Sequence, residues 1–141
     1  MLVESGRPAL ILPYAGAIGP IGNTVLVAWK ETREAARAVT CALPWLRRAG
    51  AVHVMAYGDG ADDSMRALER YLAAQGVAAT THVRGEEEQD MGNALLSRAA
   101  DVGADLLVMG SYGHSRAREW VLGGATRTIL QTMTLPVLMS H

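Results

Sequence analysis

Segments of strand length alternate with longer segments of helical periodicity between residues 24 and 141. Most of the strand-length segments are continuous apolar runs, which are typical of strands buried on both faces of a parallel sheet. The alternation therefore predicts an α/β domain in which helices cover both faces of a doubly wound parallel sheet. The predicted strands are residues 25–29, 52–57, 77–84, 106–109 and 136–139, and the predicted helices are residues 32–49, 62–75, 86–102 and 121–133.

Residues at the ends of these segments support the assignment. Thr32 is placed to cap the first helix, and Gly50 follows two arginines that suit the negative end of the helix dipole. Pro44 lies inside the same helix, where we expect a kink or a break. Residues 77–84 alternate polar and apolar side chains as an edge strand does, and the acidic residues 86–88 suit the positive end of the third helix.

The first 23 residues lie outside this pattern. Residues 6–13 show a turn residue, a proline and an apolar run, and they resemble residues 134–140. We predict that residues 1–23 form an N-terminal strand and linker, and that residues 24–141 form the domain. The N-terminal strand would be the last strand of a truncated preceding repeat, or else an apolar strand that matches by chance. Both interpretations add an extra strand at the sheet edge.

Composition limits the function. The 141 residues suffice for one domain with a packed core, and the net charge of −1 provides no field that would attract nucleic acid or an acidic membrane. Every apolar run is shorter than the ~20 residues of a membrane helix. Cys41 is the single cysteine, which excludes an intramolecular disulfide, and no secretory signal is visible. We therefore expect a cytoplasmic protein.

Glycines cluster in the segment between the strand at residues 106–109 and the last helix. Gly110 and Gly113 follow the strand, at the carboxyl edge where open α/β sheets bind ligands, and glycine permits close approach of backbone amides and positive φ. Gly123 and Gly124 precede the helix, whose free amides and dipole favour a phosphate. The segment at residues 110–126 therefore predicts a phosphate site, unless its glycines serve turns alone.

The spacing Gly110-x2-Gly113-x9-Gly123, after an apolar strand and before a helix and a Pro-Val-Leu segment, resembles the ATP-binding signature of the universal stress protein family. The resemblance covers residues 24–141. It implies a Rossmann-like, adenine nucleotide alpha hydrolase-like fold with five parallel strands in the order 3-2-1-4-5. It also implies ATP as ligand, accompanied by Mg²⁺, and a homodimer formed through edge strands. Those strands would be the ones that begin at Pro8 and Pro136, residues 8–12 and 136–139.

Carried over residue by residue, the family's phosphate contacts correspond to Gly110, Gly113 and Gly123. The following position, usually Ser or Thr in the family, is Gly124, which keeps an amide and lacks the hydroxyl. The family's Asp near the adenosine is replaced by Lys30. The predicted nucleotide-binding set comprises the strand ends, the glycines and the start of the last helix: Ala28, Trp29, Lys30, Tyr57, Met109, Gly110, Gly113, Gly123, Gly124, Ala125 and Thr126.

For two parts of this site the sequence leaves alternatives open. Trp29 would stack on a base or fill the pocket, with filling favoured because a central strand is mostly core. The cations His114, Arg116 and Arg118 would meet an anionic ligand or form a solvated loop. The Lys-Ser/Thr pair of a P-loop is missing from this segment, so we predict no catalytic residues and no metal-binding residues.

The sequence therefore predicts a stress-response domain that binds an adenine nucleotide, or a member of the same family that lacks ATP and acts through protein partners. A dimeric scaffold without a ligand is a third reading. An enzyme of the nucleotide alpha hydrolase type is a fourth. It is disfavoured because residues 29–33 lack the Ser-Gly-Gly-x-Asp-Ser loop expected after the first strand.

Overall fold

The fold is a mostly parallel sheet between two layers of helices, in a computed structural model that describes residues 7–13, 19–58, 60–84, 90–111 and 124–140. Within these residues the sheet has six strands, and four helices pack on it. The strands are β1 (Ala9–Ile11), β2 (Thr24–Trp29), β3 (Ala51–Tyr57), β4 (Thr80–Arg84), β5 (Leu106–Gly110) and β6 (Val137–Ser140). The helices are α1 (Arg33–Arg48), α2 (Ala61–Ala74), α3 (Met91–Val102) and α4 (Gly124–Thr132).

The strand order is β1-β6-β5-β2-β3-β4. Strands β2 to β6 pair in parallel, and counted from β2 their order is the predicted 3-2-1-4-5. The extra N-terminal strand is also confirmed, because β1 pairs antiparallel with β6 and brings Ala9 opposite Met139. Strand β4 lies at the other edge, in agreement with its alternating pattern.

Two apolar clusters lie on opposite faces of the sheet, because successive side chains of a strand point to opposite sides. Val27 belongs to the cluster under α1 and α2, whereas its neighbour Leu26 belongs to the cluster under α3 and α4. Both side chains are almost completely buried, since β2 is a central strand covered on both faces. The apolar runs in the sequence are therefore continuous because the strands are buried on both faces of the sheet, as predicted.

The structure tests two local signals in α1, the cap at its start and the proline in its interior. The Thr32 hydroxyl accepts a 3.2 Å hydrogen bond from the Ala35 amide, which confirms the predicted cap. Helix α1 continues through Pro44, so of the predicted kink or break the break is wrong. Pro44 is exposed, as is Thr40 one turn earlier, so the carbonyl that loses its partner lies on the hydrated side of the helix. The predicted helix start at residues 86–88 lies outside the described residues.

The predicted strand at residues 77–84 begins too early. Residues 75–77 close the end of α2 instead, because the Val77 amide donates to the Leu72 carbonyl at 2.8 Å and Gly76 has a φ of +81°. Strand β4 therefore starts at Thr80. None of the helices in the described part of the chain combines the length and the apolar character required to cross a lipid bilayer.

One carboxylate ties the start of β2 to the start of β5. Asp105 accepts hydrogen bonds of 3.0, 3.1 and 3.1 Å from the amides of Gly22, Asn23 and Thr24. In return its own amide donates to the Thr24 carbonyl at 2.8 Å. These bonds fix the register of the two strands whose carboxyl ends form the candidate site.

Candidate functional site

The carboxyl ends of β2, β3 and β5 form one edge of the sheet, at the position where α/β domains bind ligands. The strand register, extended past the strand ends, places Lys30 level with Tyr57 and with Ser111. Ala28 and Met109 form the buried layer below this row. Because adjacent strands are about 4.8 Å apart, the backbones of Tyr57 and Ser111 are separated by about 10 Å. The row therefore spans the width of a nucleoside.

Two hydroxyl groups in this row are buried and lack hydrogen-bond partners within the described residues. They are Tyr57 Oη and Ser111 Oγ. A buried hydroxyl without a partner costs about 1–3 kcal/mol, and native structures contain few of them. The main chain at Ser111 is fixed, since its amide donates to the Ser140 carbonyl at 2.8 Å. Two hydroxyls able to donate and accept thus lie on either side of the end of β2.

Gly110 permits a close contact between β5 and the start of α1. A Cβ atom at this position would lie 2.5 Å from the Ala35 nitrogen and 2.6 Å from the Glu34 carbonyl carbon. Gly110 does not have positive φ, so that part of the expectation for this glycine is wrong. Its role is to let the first turn of α1 pack directly against the end of β5.

Trp29 is directed away from the two buried hydroxyls. Its indole packs against the apolar cluster under α1 and α2, and Trp29 Nε1 donates a 2.6 Å hydrogen bond to Ser64 Oγ on α2. The favoured prediction, that this side chain fills space rather than stacks on a base, agrees with this placement. Lys30 follows it and is exposed at the sheet edge.

The residues at the start of α4 differ in their exposure. Gly124 is exposed and Ala125 is partly buried, but Thr126 is completely buried. A Cβ on Gly124 would meet no atom within 4 Å, so packing does not require a glycine there.

Several predicted residues lie outside the described part of the chain, namely Gly113, His114, Arg116, Arg118 and Gly123. The structure brings together Ala28, Lys30, Tyr57, Met109 and Gly110 at one edge. Ser111, whose hydroxyl is buried at this edge, is not in the binding set predicted from the sequence. Its position directly after Gly110, at the end of a buried strand, was the signal that would have identified it. Within residues 7–13, 19–58, 60–84, 90–111 and 124–140, no three His, Cys, Asp or Glu side chains group closely enough to hold a metal ion.

Comparison with known proteins assigns the family. The model of the universal stress protein family matches residues 23–141. The chain belongs to the universal stress protein family.

Solved structures of other universal stress proteins share the fold. One from Archaeoglobus fulgidus is 22% identical with a TM-score of 0.77, and the match covers 99% of this chain and 51% of that chain. A universal stress protein solved in complex with cAMP is 23% identical with a TM-score of 0.60, and the match covers 84% of this chain and 96% of that chain.

A curated universal stress protein of Synechocystis is 42% identical over 45 residues, which are 32% of this chain and 16% of the relative. This chain thus spans about half the length of the Archaeoglobus fulgidus relative, and its match covers a small part of the Synechocystis one.

Proposed function

We propose that this universal stress protein domain binds an adenine nucleotide at the carboxyl edge of its sheet, between Tyr57 and Ser111. The observation that carries the proposal is the pair of buried hydroxyls without partners at this edge. A bound nucleoside would supply the missing hydrogen bonds and remove a desolvation cost that the free protein bears. The related protein solved with cAMP supports the same ligand class.

The residues of this edge fit such a ligand. Ala28 and Met109 provide an apolar floor for a base, and the two hydroxyls provide donors and acceptors for its polar atoms. Lys30 lies in the same row, and its positive charge would attract a phosphate. The Asp that the family has at this position would instead accept a hydrogen bond from a ribose hydroxyl. The amide at exposed Gly124 would contact a phosphate of ATP, and Mg²⁺ would accompany that ligand.

A ligand series tests this proposal. The purified protein is titrated calorimetrically with ATP plus Mg²⁺, with cAMP and with adenosine. We expect heat from both nucleotides and weaker binding of adenosine, because adenosine offers no phosphate to Lys30. The absence of heat with all three ligands would contradict the proposal and favour a family member that acts through protein partners alone.

We further propose that the domain binds its nucleotide without chemical turnover, in the cytoplasm. The described edge offers hydroxyls and one lysine, but it offers no acid–base pair around an attacking group. Phosphorus NMR of ATP incubated with stoichiometric protein should show unchanged ATP. Release of ADP, AMP or pyrophosphate would instead favour the nucleotide alpha hydrolase type of enzyme.

Self-association through the sheet edge is a second candidate function. Leu10 and Leu12 are large apolar residues at 40% and 46% exposure, on and directly after the edge strand β1. An exposed apolar edge favours pairing with another chain. Because β1 already pairs with β6 within the chain, we propose that a homodimer uses the outer edge of β1 or exchanges β1 between two copies. Light scattering should show a dimer that Leu10→Lys/Leu12→Lys dissociates, and an unchanged mass would contradict this.

A further inference from the structure

Two histidine side chains meet at the β4 edge of the sheet. His53 Nδ1 on β3 and His82 Nε2 on β4 lie 3.3 Å apart, and the two rings are nearly parallel, with an angle of 22° between them. Both residues are half-buried, so ions in the solvent reach the pair. The two histidines are 29 positions apart in the sequence, so no local motif indicates that they meet.

Met55 lies beside this pair on the same face of the sheet. It is two residues after His53 on β3, and side chains two residues apart point to the same side of a strand. The strand register pairs Met55 with His82 on β4, at a strand separation of about 4.8 Å. Met55 belongs to the apolar cluster under α3 and α4 and is 2% exposed. Two imidazoles and one thioether thus occupy neighbouring positions, and the thioether is the buried member.

The spacing of the two ring nitrogens fits a shared metal ion. Metal–nitrogen bonds of about 2.0–2.1 Å at a tetrahedral angle hold two imidazole nitrogens about 3.3–3.4 Å apart. The right angles of a square-planar Cu²⁺ site would hold them about 2.8–3.0 Å apart. The observed 3.3 Å therefore matches an ion of tetrahedral geometry, such as Zn²⁺ or Cu⁺. It is long for a direct hydrogen bond, because N–H donors usually approach their acceptors to about 2.7–3.2 Å.

The ligand types favour Cu⁺ among the ions of this geometry. Imidazole suits both copper and zinc, whereas a thioether is a soft ligand that selects Cu⁺. Zinc sites are completed by cysteine, by further histidines or by carboxylates. In the part of the chain that the structure describes, no acidic or cysteine side chain joins this pair to form a group of three such ligands.

The surrounding charge also favours a monovalent ion. The positive charges of Arg84 and Arg98 act on His82. Arg98 is paired with Asp101 at 3.6 Å, which compensates part of its charge, and Arg84 is exposed to water at the end of β4. The repulsion that remains is proportional to the charge of the bound ion, so it is smaller for Cu⁺ than for a divalent ion at the same place.

We propose that His53, His82 and Met55 form a binding site for Cu⁺. The two imidazole nitrogens would hold the ion at the half-buried edge of the sheet, and the Met55 sulfur would bind it from the buried side. Because the ligands come from β3 and β4, the bound ion would also tie the edge strand to its neighbour and stabilise the fold. The site is independent of the proposed nucleotide.

Anaerobic competition with the coloured chelator bicinchoninate measures Cu⁺ binding. Every protein carries Cys41→Ala, because the single thiol of the chain would itself bind Cu⁺. We expect one Cu⁺ per chain in this parent protein. His53→Gln and His82→Gln should each weaken binding about tenfold or more, since changes to residues that only orient a ligand already cost about 10–100-fold.

His141→Gln is the matched control, because it removes the histidine directly after β6. Circular dichroism checks that each variant is folded. Absence of Cu⁺ uptake by the parent protein, or parent-like affinity in both His53→Gln and His82→Gln, would overturn the proposal.

Imidazole ¹H–¹⁵N spectra of the parent protein locate the ion, because Cu⁺ is diamagnetic. Cu⁺ should shift the signals of His53 and His82 and leave those of the other two histidines unchanged. Equal shifts of all four histidines would overturn the location. Met55→Leu largely conserves the side-chain volume and removes the sulfur, so it should weaken Cu⁺ binding about tenfold or more. Parent-like affinity in Met55→Leu would overturn the role of the thioether.

Discussion

Gly110 at the end of β5 and Ala35 in the first turn of α1 are so close that a Cβ on the glycine would lie 2.5 Å from the Ala35 nitrogen. Real Cβ atoms do not approach a backbone nitrogen so closely, and backbone cannot rotate away as a flexible side chain does. Gly110 matches a phosphate-contacting position of the family signature in the sequence. The close contact with α1 shows that packing also requires a glycine here.

The first prediction concerns Gly110→Ala. The added methyl must displace α1 from β5, so we expect a loss of about 1–3 kcal/mol in the free energy of unfolding, as is typical of overpacking. Urea denaturation monitored by circular dichroism measures it. Gly124→Ala is the control, since a Cβ there meets no atom within 4 Å and alanine favours the helix. Equal stability of Gly110→Ala and the wild-type protein would contradict the close contact.

The second prediction concerns the hydroxyl that Gly124 lacks. Gly124→Ser introduces a donor at an exposed position with free space around it. A hydrogen bond to a charged phosphate contributes about 1.5 kcal/mol or more, so the affinity for ATP should rise about tenfold. Calorimetry compares the ATP affinity of Gly124→Ser with that of Gly124→Ala. The alanine variant is the control, because it also replaces the glycine but adds no hydroxyl. If serine and alanine give the same affinity, the phosphate does not contact this position.

The third prediction concerns the buried hydroxyl of Tyr57, which lowers the free energy of unfolding of the protein without ligand. Its hydroxyl oxygen is buried without a partner in the described structure, so Tyr57→Phe removes an unsatisfied group. We expect the nucleotide-free variant to be more stable than the wild type, by about 1 kcal/mol. Thermal unfolding without ligand measures the difference, with Tyr71→Phe as control because Tyr71 is exposed. A destabilised variant would indicate that the hydroxyl already has a stabilising partner.

The fourth prediction concerns pH. His53 Nδ1 and His82 Nε2 lie 3.3 Å apart on neighbouring strands, and their rings stack at 5.5 Å. Burial lowers the pKa of His82 below its ordinary 6.5, and the positive charges of His53, Arg84 and Arg98 lower it further. Of these cations, Arg98 is itself paired with Asp101 at 3.6 Å.

Because the pKa of His82 is lower in the folded state, the unfolded chain binds more protons as the pH falls through 6.5. The contribution of His82 to stability is therefore present above that pH and is lost as the pH falls through the folded-state pKa. Urea unfolding at about pH 7.5 and about pH 5.5 should show a decrease that His82→Gln reduces. The same decrease in the variant would assign the pH dependence to other groups.

Much of the fold followed from the sequence, because its signals are local. The apolar runs of β2, β5 and β6 and the cap at Thr32 depend on neighbouring residues, and their predicted positions agree with the structure to within one residue. Pro44 shows the limit of such signals, since its effect depended on which side of α1 faced water. The same applies to Val77, which closes α2 rather than extending β4.

The site was predicted less completely, because its features depend on contacts between distant segments. The sequence placed Gly110 at the ligand-binding edge, but it contained no sign that Ala35 would stand against it. The burial of Thr126 and of the Ser111 hydroxyl likewise depends on how α4 and β5 pack in the sheet. Only the spatial neighbours show which hydroxyls at this edge lack partners.

The ATP affinity of three single variants tests the central claim most directly, with calorimetry on the wild-type protein as reference. If the nucleotide lies between the two buried hydroxyls, Tyr57→Phe and Ser111→Ala should each weaken binding about threefold to tenfold, as the loss of one hydrogen bond does. Tyr71→Phe, on the opposite face, should bind ATP as the wild type does. Wild-type affinity in both Tyr57→Phe and Ser111→Ala, or the absence of ATP binding by the wild-type protein, would contradict the account.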